Sequence, residues 1–315
     1  MRVVPLGERF AAEVLDLDLT RPPTAAEHDA VVDAVDRYAV LVLRDQRISA
    51  EQQTAWLSGF GPLDSEVQRY FNRLAANRLG SDVVTDISNV DARSDVAARL
   101  DRQTIMNIGN AFWHSDGSHY HHPFRYSMLA AVAVPALGGE TEFADLRAAH
   151  DRLDARTRGF LSARTGAFWS AYNRIRLGII DPPQTHGLYP PVEWPLIRRH
   201  PGSGRDVLWV GQPLCQVSGL SVPEGRALAS DLLEQATERE NVHVHRWAAG
   251  DVVLWDNRSV LHRGRRFDLA HRRELRRVGT KDDVASLGVL DMPSRTDLND
   301  GFPLRLRGAP EPLRT

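Results

Sequence analysis

The sequence predicts a mixed, β-rich fold with flanking helices, and three observations carry that expectation. Short runs rich in valine and aromatic residues recur at 126–134, 207–210, 242–247 and 252–255, each bounded by turn residues, as strands are. Long excursions separate them, two with helical periodicity. No internal repeat, low-complexity linker or compositional break divides the 315 residues, so a single domain, 1–315, is expected. Many short strands joined by long excursions suggest a distorted double-sheet jelly roll rather than a doubly wound parallel sheet.

Thr24-x-x-Glu27 is a capping box, and Val31, Val32, Val35 and Tyr38 recur at helical spacing behind it, so a helix precedes the apolar strand 40–43. Ser49-x-x-Gln52 starts a second helical segment, which runs through Phe60 and stops at Gly61-Pro62. From 65 to 109 the pattern is irregular and polar, with charges scattered through 91–102, and a long insertion of this kind beside a site reads as a lid. The stretch 146–153 is a helix candidate, and 223–240 is an amphipathic helix opening at proline with Leu228, Leu232 and Leu233 on its apolar stripe. From 284 onward the chain reads as a C-terminal tail.

Composition narrows the function classes. With 42% hydrophobic and 25% charged residues the chain is an ordinary globular sequence. Its 39 basic and 41 acidic side chains leave a formal charge of −2, which supplies no whole-molecule field for nucleic acid or an anionic membrane. The single cysteine, Cys215, has no internal disulfide partner, and the N-terminus lacks the apolar stretch of a secretory signal, so the cytoplasm is the expected compartment. The longest wholly apolar run, 128–135, is far shorter than the ~20 residues that span a bilayer.

Among the 12 histidines, His114 and His262 stand apart. His114 and Asp116 lie two apart in Phe-Trp-His-Ser-Asp, so on an extended segment they share a face and can grip one ion, which a distant His262 completes. Two histidines and a carboxylate leave coordination positions open, which suits ferrous iron that must also hold a co-substrate and dioxygen. Arg273, eleven residues after His262, is a natural anchor for the far carboxylate of a dicarboxylate, because guanidinium binds carboxylate in a bidentate fork. If 273–277 is extended, Arg273 and Arg277 share a face while Arg272 and Arg276 point away, which fits an anion pocket better than a nucleic-acid patch lacking interleaved aromatics. Trp113 and Trp255 flank the ligand segments and are read as cavity walls, and the cluster His119, His121 and His122 is read as shaping the site.

The ordered set His114-x-Asp116, Gly-Gly-Glu-Thr-Glu-Phe at 138–143, Trp-Asp-Asn-Arg at 255–258, His262 and Arg273 resembles the taurine dioxygenase family of iron(II)- and 2-oxoglutarate-dependent oxygenases. Arg-Tyr-Ser-Met-Leu at 125–129, Asp-Leu-Arg-Ala-Ala at 145–149 and Arg-Arg-Glu-Leu-Arg-Arg at 272–277 are similar to its 2,4-dichlorophenoxyacetate dioxygenase branch, and the resemblance runs from Val4 to Asp283. It implies a double-stranded β-helix (jelly roll) core with helices outside, iron(II) held by His114, Asp116 and His262, and 2-oxoglutarate and dioxygen as co-substrates. It further implies that Thr141 joins Arg273 on the distal carboxylate of 2-oxoglutarate, that Arg277 takes the acidic group of the primary substrate, and that Asn110 contacts that substrate. After Phe60-Gly61 the chain lacks the histidine that the taurine enzyme uses for its sulfonate, which argues against taurine itself.

The expected reaction is hydroxylation of an unactivated C–H bond of a small anionic organic substrate, an aryloxyalkanoate-like carboxylate or a sulfonate, with 2-oxoglutarate decarboxylated to succinate. Desaturation, epoxidation or cyclisation can follow from the same oxidant. A zinc hydrolase would also use three protein ligands and a water, but has no use for Arg273. A non-catalytic jelly-roll binding protein is the reading from another class, and a homo-oligomer is left open.

Overall fold

The computed structural model describes residues 1–8, 10–65, 78–178 and 190–283. The N-terminal third runs β1 (Arg2–Pro5), β2 (Ala12–Leu15), α1 (Ala25–Tyr38), β3 (Val40–Leu43), α2 (Ala50–Leu57) and β4 (Thr85–Ser88). The middle holds α3 (Arg102–Asn107), β5 (Phe124–Ala133), β6 (Thr141–Asp145), α4 (Leu146–Arg152), α5 (Ala155–Ser162), β7 (Thr165–Phe168) and α6 (Ser170–Arg176). The remainder is β8 (Val192–Pro195), β9 (Ile197–Arg199), β10 (Asp206–Leu208), β11 (Leu214–Val217), α7 (Val222–Ala236), β12 (Val242–His245), β13 (Val252–Asp256), β14 (Val260–Gly264) and β15 (Glu274–Lys281).

A seven-stranded sheet, in the order β1-β2-β3-β13-β5-β15-β4, faces a smaller sheet, β12-β6-β14. This is the double-sheet arrangement of a jelly roll. Its strands alternate strictly in what they bury. Leu41 and Leu43 of β3, with Val252 and Leu254 of β13, point to the core under α1 and α2, where Val31, Val35 and Trp56 cover them. Val40, Val42, Val253 and Trp255 point the other way, against Phe143 of β6 and Val260 of β14. A strand covered on both faces reads as an unbroken apolar run, which is why 40–43 carries no alternation. The outer face of the smaller sheet is closed by α4 and α7 with Leu146, Trp194, Trp209 and Leu232.

Both capping boxes form. Thr24 and Glu27 close the start of α1, and Ser49 and Gln52 close that of α2. The third, Ser221 with Glu224, opens α7 one turn-position ahead of the expected proline, and the helix stops at Ala236 rather than 240. The strand expected at 207–210 is β10, 206–208, with Trp209 and Val210 buried beyond it.

The stretch read as an irregular insertion is partly sheet. Thr85–Ser88 is β4, the edge strand paired with β15. Its buried positions are Asp86 and Ser88, and Asp86 accepts from Arg78 at 3.0 Å, so the strand buries polar groups through an ion pair and offers no apolar signal. The segment 66–77 of that stretch and the tail from 284 lie outside the described residues.

Candidate active site

The site begins with backbone pairing. His114 and His262 form an antiparallel bridge in which the His114 N–H donates to the His262 carbonyl at 3.1 Å and the His262 N–H returns to the His114 carbonyl at 2.8 Å. Directly opposed residues present their side chains on one face, and the two rings lie 4.2 Å apart. The imidazole Nδ1 of His114 is 2.7 Å from the Phe112 carbonyl. A carbonyl only accepts, so the proton sits on Nδ1 and Nε2 keeps its lone pair. Nε2 of His114 and Nε2 of His262 stand 3.7 and 3.8 Å from the same oxygen, Oδ1 of Asp116. These separations are too long for hydrogen bonds. All three ligand atoms lie within 4.8 Å of one another. Three converging lone-pair atoms with no hydrogen between them fit a divalent cation, and two nitrogens plus one oxygen suit iron(II).

The second carboxylate oxygen of Asp116 is held by the protein. Oδ2 accepts from Ser127 Oγ at 2.7 Å and pairs with Arg277 Nη1 at 2.8 Å. Ser127 Oγ accepts in turn from Asn257 Nδ2 at 2.9 Å, and Asn257 Oδ1 accepts from the Asp116 N–H at 3.1 Å and from Trp255 Nε1 at 2.9 Å. Burial works against the charge on Asp116, but the Arg277 guanidinium and the Ser127 hydrogen bond outweigh it and hold the carboxyl far below its ordinary range. Burial pushes His262 down to about 3, with His114 adding to it, so its ring is neutral and free to donate an electron pair.

Beside this triad lies a cavity of about 870 Å³. Arg273 reaches it buried, at 8% exposure. Its Nε and Nη2 donate to the Gly139 carbonyl at 3.2 and 3.0 Å, and its backbone N–H is fixed by Asn89 Oδ1 at 2.8 Å. Among the described residues no carboxylate lies within ion-pair distance of its guanidinium, and burial pushes its pKa down to about 10, Glu140 opposing. The approach to Gly139 requires glycine: its φ is +75°, and a Cβ there would sit 3.0 Å from Arg273 Nε. Thr141, buried on β6, accepts the Trp247 indole N–H at 2.9 Å, which leaves its own hydroxyl proton available to a ligand.

The remaining sequence-predicted residues divide. Asn110 lines the cavity from a 3₁₀ turn, Ile108–Ala111. Trp255 lines it too, 4.8 Å from the His262 ring. Arg277 reaches it over the Phe124 ring, but its guanidinium is already engaged with Asp116. Trp113 does not wall the cavity. It precedes His114 on extended backbone, so with His114 facing the metal site its indole turns into the second core under Arg263. Of the three clustered histidines only His119 lines the cavity, while His122 borders a separate small depression with Pro62 and Lys281. Sequence reasoning missed Ser127, Asn257, Asn89 and Trp247. Ser127 and Asn257 stood inside quoted motifs, Ser127 as a polar residue within an apolar strand run and Asn257 in the polar turn just after one, which was the available signal.

A second acid–histidine cluster, Asp36, His200 and Asp256, lies buried elsewhere. There Arg258 already supplies the cation, 2.6 Å from Asp256 and 3.7 Å from Asp36.

Comparison with known proteins agrees with this geometry. Residues 2–278 match the family described as taurine catabolism dioxygenase TauD, TfdA family. The alpha-ketoglutarate-dependent 2,4-dichlorophenoxyacetate dioxygenase of Cupriavidus pinatubonensis is 44% identical over 281 residues, 89% of this chain and 97% of that protein. The (S)-phenoxypropionate/alpha-ketoglutarate-dioxygenase of Delftia acidovorans is 31% identical over 281 residues, 85% of this chain and 90% of its own length. The crystal structure of AAD-2 in complex with Mn(II) and N-oxalylglycine superposes with a TM-score of 0.83 at 37% identity, covering 89% of this chain and 97% of that one. With its triad, its buried guanidinium lacking an acid partner among the described residues, and these relatives, the chain belongs to the TauD/TfdA family of 2-oxoglutarate-dependent dioxygenases, enzymes that require iron(II), 2-oxoglutarate and dioxygen.

Proposed function

We propose that the chain hydroxylates an unactivated C–H bond of a small organic anion, an aryloxyalkanoate-like carboxylate or a sulfonate. Each turnover consumes dioxygen and 2-oxoglutarate, and one oxygen atom enters the substrate while the other enters succinate as carbon dioxide leaves. The observation that carries the reading is Arg273: a buried guanidinium beside the triad, with no acid partner among the described residues. A buried charge left unpaired is costly, and a dicarboxylate that binds there relieves it. A zinc hydrolase would leave that cation without purpose.

His114, Asp116 and His262 would hold the iron, which when bound with its co-substrates supplies the oxidising power. Arg273 and the Thr141 hydroxyl would take the distal carboxylate of 2-oxoglutarate, the first by a forked pair of hydrogen bonds and the second by its free proton. Ser127, Asn257 and Arg277 hold Asp116 ionised and in one orientation, so a single oxygen faces the metal position. Arg277, whose buried Nε has no hydrogen-bond partner among the described residues, also brings positive charge to the cavity, and we assign it the anionic end of the primary substrate. Asn110 and Trp255 border the space left for the carbon frame.

Relatives named for 2,4-dichlorophenoxyacetate and (S)-phenoxypropionate support an aryloxy acid as the substrate type. Within the 65–109 stretch, Arg99, Leu100 and 104–109 line the cavity beyond the β4 end at 85–89, and this part is proposed as the lid. No helix among the described residues is long and apolar enough to cross a membrane. The cytoplasmic placement is proposed on the single cysteine of the sequence, which has no internal disulfide partner.

Aryloxy acids and sulfonates screened for substrate-triggered succinate release, after anaerobic addition of iron(II) and 2-oxoglutarate, test the proposal. A coloured complex before oxygen and succinate with an aryloxy acid are the expected results. Colour without succinate across the panel would overturn the substrate class, and absence of the colour would overturn the site.

A further inference from the structure

Several residues that line the cavity carry polar atoms left unsatisfied among the described residues. His119 Nδ1 and Asn173 Oδ1 are buried without a hydrogen-bond partner among the described residues, and both residues line the cavity that His114, Asp116 and His262 share. Thr104 of α3, 4% exposed, also lines this cavity, with its Oγ1 in the same condition. An unsatisfied buried polar group costs about 1–3 kcal/mol, so its presence needs a reason, and a ligand that completes the hydrogen bond is one. His119 offers no charge to that ligand. Burial foremost, with Arg174 and His114 adding to it, pushes the ring down to about 3, so it is neutral across the physiological range. The Asn173 side-chain oxygen only accepts. Around them Ile105 and Phe267 supply apolar wall for a carbon frame.

Resting on the dioxygenase reading above, the geometry points to His119 and Asn173 as a hydrogen-bonding subsite for the primary substrate, which takes a hydroxyl, amine or amide N–H. The substrate is then an organic anion with a polar, donor-bearing function away from its acid group, and not an acid whose remainder is hydrocarbon or halogen alone. A pocket built to pair such a group rejects the analogue lacking it, because its own polar atoms are then left bare.

Calorimetric titration under anaerobic conditions, with the full chain loaded with iron(II) and 2-oxoglutarate, reads this directly. The probes are phenoxyacetates carrying hydroxyl or chlorine at each ring position in turn. At one position the hydroxy compound should bind roughly tenfold tighter than its chloro counterpart, the size of a well-made neutral hydrogen bond. His119→Phe and Asn173→Leu should each erase that preference while leaving 2-oxoglutarate affinity unchanged, and Asn173→Asp, which keeps the accepting oxygen, should retain it. Equal binding of hydroxy and chloro compounds at every position, or a preference that survives both variants, overturns the subsite and leaves the dioxygenase reading standing. If no member of the panel binds, the aryloxyalkanoate reading itself fails, and the assigned occupant falls with it.

Discussion

Arg273 has 2-oxoglutarate as its only proposed counter-charge, whereas Arg277 divides its charge between Asp116 and the cavity. Their truncations should therefore separate. Arg273→Ala should raise the 2-oxoglutarate KM by a factor that corresponds to roughly 2–5 kcal/mol, measured by succinate formation at saturating primary substrate. Arg277→Ala should instead weaken both the primary substrate and the iron, because it removes a partner of Asp116 as well. Equal effects of the two variants on 2-oxoglutarate would refute the assignment. Asn257 reaches the metal position only through Ser127 and the Asp116 backbone. Asn257→Ala should weaken iron about 10–100-fold in a metal titration, as loss of such supporting partners does, with the protein still folded. Of the proposed ligands, His114 and Asp116 were legible because His-x-Asp is local in sequence, and distant His262 only through the order and spacing of the resemblance. The groups that orient them were not, because a serine or asparagine acquires that role only through a partner far away in the chain.

At the scale of elements, legibility followed burial chemistry. α1, α2 and β3 could be placed from capping residues and apolar runs, since their buried positions are apolar except for Gln53 of α2 and both helices are closed at their N-termini by side chains within three residues. β4 could not, because it buries Asp86 and Ser88 and takes its stability from Arg78 and from pairing with β15. The short strands β7, β8, β9 and β11 were missed for a related reason: at three or four residues each, they carry too little pattern to distinguish from loop. α2 anchors its side of the large sheet through Trp56, fully buried against it. Trp56→Ala should lower unfolding stability by about 3–5 kcal/mol in a denaturant titration. Gly139 belongs to the connection before β6, and Gly139→Ala should impair 2-oxoglutarate binding well before it impairs folding, because the added methyl meets the Arg273 side chain.

For the molecule as a whole, the jelly roll was legible only as a tendency toward many short strands. Its sheet order was not, because β13 inserts between β3 and β5, and β15 between β5 and β4, from far downstream. The same non-local pairing carries His262 to His114. Before the chain folds, only the neighbouring His114 and Asp116 can approach an ion together. The third donor arrives when one reciprocal pair of backbone hydrogen bonds forms between distant segments. Metal affinity is thus a property of the native state, and an ion at a hundred times its Kd should stabilise that state by ~2.7 kcal/mol. Differential scanning calorimetry with manganese(II), which avoids oxidation during heating, should record a higher Tm for the wild-type chain and no shift for His262→Ala. Newly made chains would therefore acquire the ion late, and one whose two ends had failed to meet would be left without it, a built-in safeguard against an oxidant forming on a misassembled scaffold.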